Sequence, residues 1–501
     1  MNDRAKRLAW NTISSAVYQV IAIACGFIVP RLILGQYGSE TNGLVSSIQQ
    51  FLQIIAFLEL GVGAVVKSSL YEPLAKNDVE TISKIVASAN RFFRRIAAIL
   101  AVYVAVLVIV YPRIVSASDE MLATAFLIVA MSISSFAQYY FGIVNQLLLN
   151  ADQKGYIQYI TQSITLIVNT ILCVILIRNG NSIQLVKLTT SLVFLCRPIV
   201  YKIYVDKHYC INKNISYSEE PIKQKWNGIA QHVAAIVLDG TNVIVLTLFS
   251  TLTNVSIYYV YQMVANGVKQ LFISTTNGIQ SLMGELWARK EKDRLKEFFS
   301  WVEWSIHTGA VFLFGCTGLL ILPFVGVYTA GIEDANYQVP IFALFMILAQ
   351  VAECIRLPYN IMILAAGHYK QTQHIFIIAA IINIIVSVVT VKVFGLPGVA
   401  IGTICAMVYQ DVSMAKYVTG NLVDWSFSRF LRQTAVDAIT LIVIYAMNHF
   451  LMLSANTYIA WFILAIKVTA LVGGVVVCIN MIFYKEKMRT LAVNIVKRIK
   501  R

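Results

Sequence analysis

Residues 374–393 read HIFIIAAIINIIVSVVTVKV, with Lys392 as the one Asp, Glu, Lys or Arg and no alternation of polar with apolar positions. At 1.5 Å per residue, about 20 apolar residues form a helix about 30 Å long, which matches the hydrocarbon core of a bilayer. Thirteen further stretches have the same character. They are Leu8–Leu34, Gly43–Val66, Ile96–Val115, Met121–Leu149, Tyr156–Ile177, Ile183–Val205, Ile229–Phe249, Val255–Leu282, Trp301–Val327, Pro340–Leu364, Gly398–Val418, Thr434–Leu453 and Tyr458–Tyr484. No set of alternating ten-residue segments suggests a barrel. The expectation is an all-α polytopic membrane protein of about 14 transmembrane helices.

Composition agrees. Of 501 residues, 58% are apolar and 13% charged, where soluble domains carry about 25% charge. That excludes an ordinary soluble enzyme, a disordered chain and a disulfide-rich secreted module. The eight cysteines form no CxxC and no His–Cys ligand spacing, so they read as small apolar packing residues. The formal charge of +15 would suggest nucleic acid in a soluble protein; here it falls at one membrane face, and no nucleic acid partner is expected. Of the 40 Lys and Arg residues, 31 lie in one alternating set of connections and termini and four in the opposite set. The asymmetry places both termini on the cytoplasmic side of the cytoplasmic membrane. Two cytoplasmic stretches, Asp78–Arg95 and the basic tail Lys485–Arg501, have the periodicity of interfacial helices suited to anionic inner-leaflet lipids.

The chain repeats itself. Trp10-Asn11 recurs as Trp226-Asn227, Thr41-Asn42 as Thr253-Asn254, Leu149-Asn150-Ala151 as Leu364-Ala365-Ala366, and Tyr204-Val205 as Tyr417-Val418, at offsets of 216, 212, 215 and 213 residues. Two parallel six-helix lobes follow, residues 1–206 and 228–418, joined by a cytoplasmic linker, 207–227. Helices 13 and 14 occupy 419–484 and the basic tail 485–501. Transporters are commonly built from such repeats, with the substrate between them.

Further residues carry a resemblance: Pro30-Arg31-Leu32-Ile33-Leu34-Gly35, Gly38-Ser39-Glu40-Thr41-Asn42-Gly43-Leu44, Glu59-Leu60-Gly61-Val62-Gly63, Leu70-Tyr71-Glu72-Pro73-Leu74-Ala75, and the Leu147–Tyr156 turn. In combination they resemble the Wzx-like polysaccharide flippases, in the superfamily of the multidrug extruders and the lipid II flippase. The resemblance implies a central cavity, alternating access and a substrate of oligosaccharide linked through pyrophosphate to undecaprenol, moved from the inner to the outer leaflet. Polysaccharide polymerase and glycosyltransferases would be its partners, and the protein would not be an enzyme.

Ionisable groups within spans cost ~2.5–3.5 kcal/mol each at the bilayer centre, so each needs a reason. Tyr258, Gln262, Asn266 and Lys269 share one helix face, which must look at a cavity or another helix. Under the resemblance Lys269 meets a pyrophosphate oxygen and the others meet sugar hydroxyls; otherwise Lys269 is a structural ion-pair partner. Gln49, Gln50 and Gln53, with Ser46, form the matching stripe of span 2. Asp239, sharing a face with His232 and Asn242, either pairs with Lys269 or takes up H⁺ or Na⁺ as the coupling ion. Glu59 is either a turn hydrogen bond or a coupling carboxylate. Glu353 and Arg356, at i and i+3 before Pro358, form a salt bridge beside a kink or serve ion coupling and substrate contact. Arg31 either contacts substrate or snorkels to the interface. Glu303 and His307, next to Trp301 and Trp304, read as interfacial.

No cofactor is expected. Gly61-Val62-Gly63-Ala64-Val65-Val66-Lys67-Ser68 lacks the second glycine of a phosphate loop, and no H-E-x-x-H occurs. The alternatives are a drug or cation antiporter on the same fold, the lipid II flippase, and a membrane glycosyltransferase. The antiporter would favour acidic cavity groups. The lipid II flippase would carry a cationic first helix, yet no Lys or Arg lies between Arg7 and Arg31. The glycosyltransferase would need a substantial outer loop.

Overall fold

The computed structural model describes residues 3–54, 60–115, 120–212, 215, 229–447 and 454–499, without the side chains of 3–8, 60–61, 64, 229–236, 239, 271–277 and 494–499. Every regular element among these residues is helical. In chain order they are α1 (Asp3–Gln53), α2 (Leu60–Lys76), α3 (Val79–Val115), α4 (Met121–Ala137), a π-helical turn (Gln138–Gly142), α5 (Ile143–Ala151), α6 (Gly155–Arg178), α7 (Ile183–His208), α8 (Ile229–Phe249) and α9 (Leu252–Ala288). There follow α10 (Lys292–Tyr328), α11 (Pro340–Ile355), α12 (Leu357–Ala365), α13 (Tyr369–Phe394), α14 (Leu396–Asn421), α15 (Ser428–Met447), α16 (Tyr458–Phe483) and α17 (Lys485–Ile499).

Eleven described stretches are long and apolar enough to cross a membrane. The first, Ala9–Gln53, measures about 68 Å at 1.5 Å per residue, two bilayer widths. It therefore holds two of the expected spans, hinged at Gly38, whose φ of 81° is open to glycine and strained for other residues. The expected spans at 229–249 and 255–282 are helical, but part of their side chains lies outside the described residues.

The chain forms two compact units, Met1–Ser256 and Ile257–Arg501. In the first, α1 packs along α6, α6 along α7, and α4 against α3 and α7. Two apolar cores result, one around Ile48, Leu127 and Val186, the other around Leu70, Phe93 and Leu148. In the second unit α10 is the hub, in contact with α11, α15 and α16, with Val311, Val468 and Val472 at its centre. The α13–α14 hairpin is held close by Gly398 and Gly402. A Cβ there would lie 2.4 Å from the Thr390 carbonyl carbon and 2.0 Å from Ser387 Oγ. Small residues four apart permit such backbone approach in membrane helices.

The stretch expected to lie on the membrane surface does otherwise. Asp78–Arg95 runs without interruption into the third span as one helix, capped at its start by Asp78, which accepts from Thr81 N (3.0 Å) and Thr81 Oγ1 (2.6 Å). These bonds and the hydrogen-bonded Thr81 backbone hold the Asp78 carboxyl below its usual range. Ile82, Ile85, Val86, Ala89 and Phe93 are buried in the core shared with α2 and α5. Its periodicity reports packing against protein, a surface as apolar as lipid. In α17, Leu491 is 40% exposed, as on an interfacial helix.

The backbone repeats where the sequence does. Asn77 and Lys290 both have positive φ, 54° and 58°, at offset 213. Each closes the same turn: N–H of 77 to O of 74 and of 78 to O of 73, then N–H of 290 to O of 287 and of 291 to O of 286. Gln153 (φ 58°) and Gly367 (φ 74°), at offset 214, repeat that pair of bonds. The residue after each turn then bonds a tyrosine of its own unit, Lys154 Nζ to Tyr209 (3.1 Å) and His368 Nδ1 with Tyr417 (2.8 Å). Asn11 locks the first of these turns to α1, donating to Gln153 O (2.8 Å) and accepting from Tyr156 N (2.7 Å). The Asn11 amide is thus a clamp, while Trp226-Asn227, the counterpart of Trp10-Asn11, lies outside the described residues.

Candidate functional site

In the first unit, α1 after its kink presents Gln49 and Gln53, both exposed, to a cavity of about 290 Å³. The opposite wall is Ser134, Ser135 and Tyr139 from α4 and the π turn, and Lys187 and Thr190 from α7. One cation among amides and hydroxyls suits an anionic, hydroxyl-rich ligand. Lys187 stands in the second turn of α7, beyond the Ser182 cap. The signal was available, since Lys187 is one of four cations on the poor side of the chain. Gln50 is turned elsewhere: its amide packs on Gly240 of α8, where a Cβ would lie 2.7 Å from Nε2. Ser46 is buried and donates to Asn42 O (2.8 Å). Arg31 is partly buried, with Nη1 beside Gly35. The structure does not bring Arg31 to the lining of this cavity.

In the second unit, the α9 stripe meets α11. Tyr258 is buried with its ring 5.9 Å from that of Phe342, and Gln262, Asn266 and Lys269 are partly buried. Lys269 Nζ donates to both carboxylate oxygens of Glu353, at 3.0 and 3.1 Å. Arg356 Nη2 stands 3.8 Å from the same carboxylate, so the i, i+3 pair forms, loosely, where α11 gives way to α12. The three side chains are 12–17% exposed. Among the described residues, Glu353 is the carboxylate that accepts from Lys269. The side chains of Asp239, His232 and Glu59 lie outside the described residues.

Behind this triad stand groups not singled out from the sequence. Asp411 on α14 is buried, within electrostatic reach of Arg356 and His307. Gln350 Oε1, Asn360 Oδ1, Arg356 Nε, Asp411 Oδ1 and both amide atoms of Gln410 are buried without a hydrogen-bond partner among the described residues. An aspartate inside span 12 was itself the available signal.

Glu303 and His307 are packed between helices. Both are buried, His307 completely, and they tie α10 to its neighbours. His307 Nδ1 pairs with Asp437 Oδ2 of α15 at 2.6 Å, and Gln433 Nε2 donates to Asp437 Oδ1 at 3.2 Å. Tyr359 of α12 donates to Glu303. Trp304 Nε1 donates to Asn480 of α16 at 2.7 Å. The aromatic surroundings that read as a membrane interface are packing inside a helix bundle.

No protein-family model matches the chain, and no curated protein matches it. Solved structures do. The lipid II flippase MurJ, in an inward closed conformation, is similar with a TM-score of 0.70 at 16% identity, over 95% of this chain and 99% of that one. An inward-facing multidrug resistance transporter of the MATE family, in the MOP superfamily, has a TM-score of 0.62 at 13% identity, over 80% and 95%. The MATE transporter VcmN of Vibrio cholerae has a TM-score of 0.59 at 11% identity, over 84% and 98%. This chain is a multi-pass helical membrane protein with the fold that MurJ and the MATE transporters share.

Proposed function

We propose that the protein is a flippase that moves an undecaprenyl-pyrophosphate-linked oligosaccharide from the inner to the outer leaflet by alternating access, for export of a surface polysaccharide. The observation that carries this reading is the chemistry of the first unit's cavity: Lys187 stands there with Gln49, Gln53 and Thr190, a cation among sugar-type hydrogen-bonding groups. A pocket for cationic drugs would hold a carboxylate in that place. The fold, shared with a lipid II flippase, supports a lipid-linked cargo.

Lys269, Arg356 and Glu353 then act as a switch. An arriving pyrophosphate competes with the Glu353 carboxylate for Lys269, and a proton or Na⁺ on Glu353 releases Lys269 without substrate. Two negative charges moving outward down an inside-negative potential gain ~4.6 kcal/mol per 100 mV, so export has a driving force before any ion is coupled. The test is surface polymer and cytoplasmic-side lipid-linked oligosaccharide in cells lacking their own polysaccharide flippase. Wild-type protein should restore polymer and Lys187→Gln, at equal abundance, should accumulate the inner-leaflet intermediate. Restoration by Lys187→Gln at the wild-type level would remove the cation from the substrate path.

A second reading, lipid II as cargo, is favoured by the TM-score of 0.70 to MurJ. Growth of cells depleted of their lipid II flippase, sustained by this protein, would select it over the first.

A further inference from the structure

A larger cavity in the first unit lies elsewhere, at about 620 Å³, between the basic half of α3, the π turn and the end of α7. Arg91, Arg94 and Arg95 line it from α3 and Lys202 from α7, with Asp206 as the one carboxylate in the lining among the described residues. Like charges at i, i+3 and i+4 repel along a helix, so a cluster of this kind is kept against a cost. The cations rest on aromatic faces: Arg94 lies 5.3 Å from the Tyr140 ring centre and Lys202 6.0 Å from that of Phe141. Both rings come from the π-helical turn Gln138–Gly142, a local widening of the helix of the sort that recurs at binding sites.

Phe141 also lines a second cavity, about 430 Å³, whose other walls are apolar apart from Ser132: Leu100, Ala101 and Val104 of α3, Phe136 of α4 and Leu195 of α7 among them. The same three elements thus build a cationic pocket that adjoins an apolar groove. The groove runs down α3 from the end of the arginine cluster, and Ala101 and Phe136 are exposed where helices of this chain face lipid. Guanidinium forks match phosphate oxygens, and an apolar groove matches an acyl chain.

We infer that these joined cavities hold one anionic phospholipid, its phosphate headgroup among Arg91, Arg94, Arg95 and Lys202 and an acyl chain along Ala101, Val104 and Phe136. All four cations belong to the Lys/Arg-rich face of the chain, so the lipid comes from the leaflet on that side. The assignment stands whatever the transported cargo is. It makes α3 a helix held by protein on its apolar face and by lipid phosphate on its basic face.

The test is native mass spectrometry and thermal unfolding of the full chain in mild detergent, titrated with phosphatidylglycerol, phosphatidylethanolamine or inorganic phosphate. Phosphatidylglycerol should be retained at one per chain in preference to phosphatidylethanolamine. Arg94→Gln with Lys202→Gln should weaken its retention about 30-fold, while Arg94→Lys keeps most of it. Ala101→Trp, filling the groove, should lose the lipid yet still be stabilised by inorganic phosphate. Equal retention of both lipids, or unchanged retention in the double variant, would overturn the site. Unchanged retention of phosphatidylglycerol in Ala101→Trp would remove the apolar groove from the site and overturn the joined-cavity assignment. Displacement of phosphatidylglycerol by undecaprenyl pyrophosphate, one for one, would assign the pocket to the cargo and overturn the resident lipid.

Discussion

Both units tie hydroxyls back to their own helices: Thr161, Ser163, Thr165 and Thr170 of α6 in the first, and Thr317, Thr390 and Thr419 in the second, each donate to the carbonyl four residues earlier. The units differ in how the charges among their described residues are held. In the first unit Arg197 takes neutral partners, lying 3.8 Å from the Phe194 ring centre and donating to Thr165 at 2.7 Å. In the second unit, carboxylates and cations meet across helices, Lys269 with Glu353 and His307 with Asp437. Hydroxyls and amides leave a cation available to a ligand. Ion pairs commit the helices that carry them, because removing one partner leaves an uncompensated buried charge.

That contrast can be broken most directly at Lys269. Lys269→Gln should destabilise the protein by about 3–5 kcal/mol, and Glu353→Gln added to it should restore most of the loss. Thermal and denaturant unfolding in detergent reads both; a silent single variant would show that the pair does not hold α9 to α11. Next is the His307–Asp437 contact. Asp437→Asn keeps the shape and loses the charge, and should cost about 1–3 kcal/mol in the same measurement. Stability unchanged by that substitution would make the second unit's polar core as neutral in effect as the first's.

In the first unit the expectation reverses. Lys187→Gln should lower transport about tenfold, roughly 1.4 kcal/mol, while stability stays within about 0.5 kcal/mol. A large stability loss there would make Lys187 a structural residue like Lys269 and erase the contrast. The smallest effect concerns what the units share. Gln153→Gly should stabilise and Gly367→Ala destabilise, each by about 1 kcal/mol, since both positions sit at positive φ and a Cβ at Gly367 meets nothing nearer than 4.0 Å. Equal signs at the two sites would mean that the paired turns are not equivalent.

The helices were legible in the sequence because hydrocarbon demands about 20 apolar residues per crossing and the backbone must satisfy itself within each segment. Leu149-Asn150-Ala151 and Leu364-Ala365-Ala366 stand next to a turn that recurs in the backbone, at Gln153 and Gly367, whereas Trp226-Asn227, the counterpart of Trp10-Asn11, lies outside the described residues. Helix periodicity put Tyr258, Gln262, Asn266 and Lys269 on one face, and only the tertiary structure chose Glu353, 84 residues on, as the partner of Lys269. The apolar face of Asp78–Arg95 has the same pattern whether it meets lipid or the Leu70–Leu148 core, since both are apolar. Glu303 and His307, flanked by tryptophans, gave the pattern of a membrane interface until α15 and α12 supplied Asp437 and Tyr359. Local sequence determines which residues share a helix face. Which helix that face meets depends on the packing of segments far apart in the chain, and there the ion pairs, the Lys187 cavity and the basic pocket were decided.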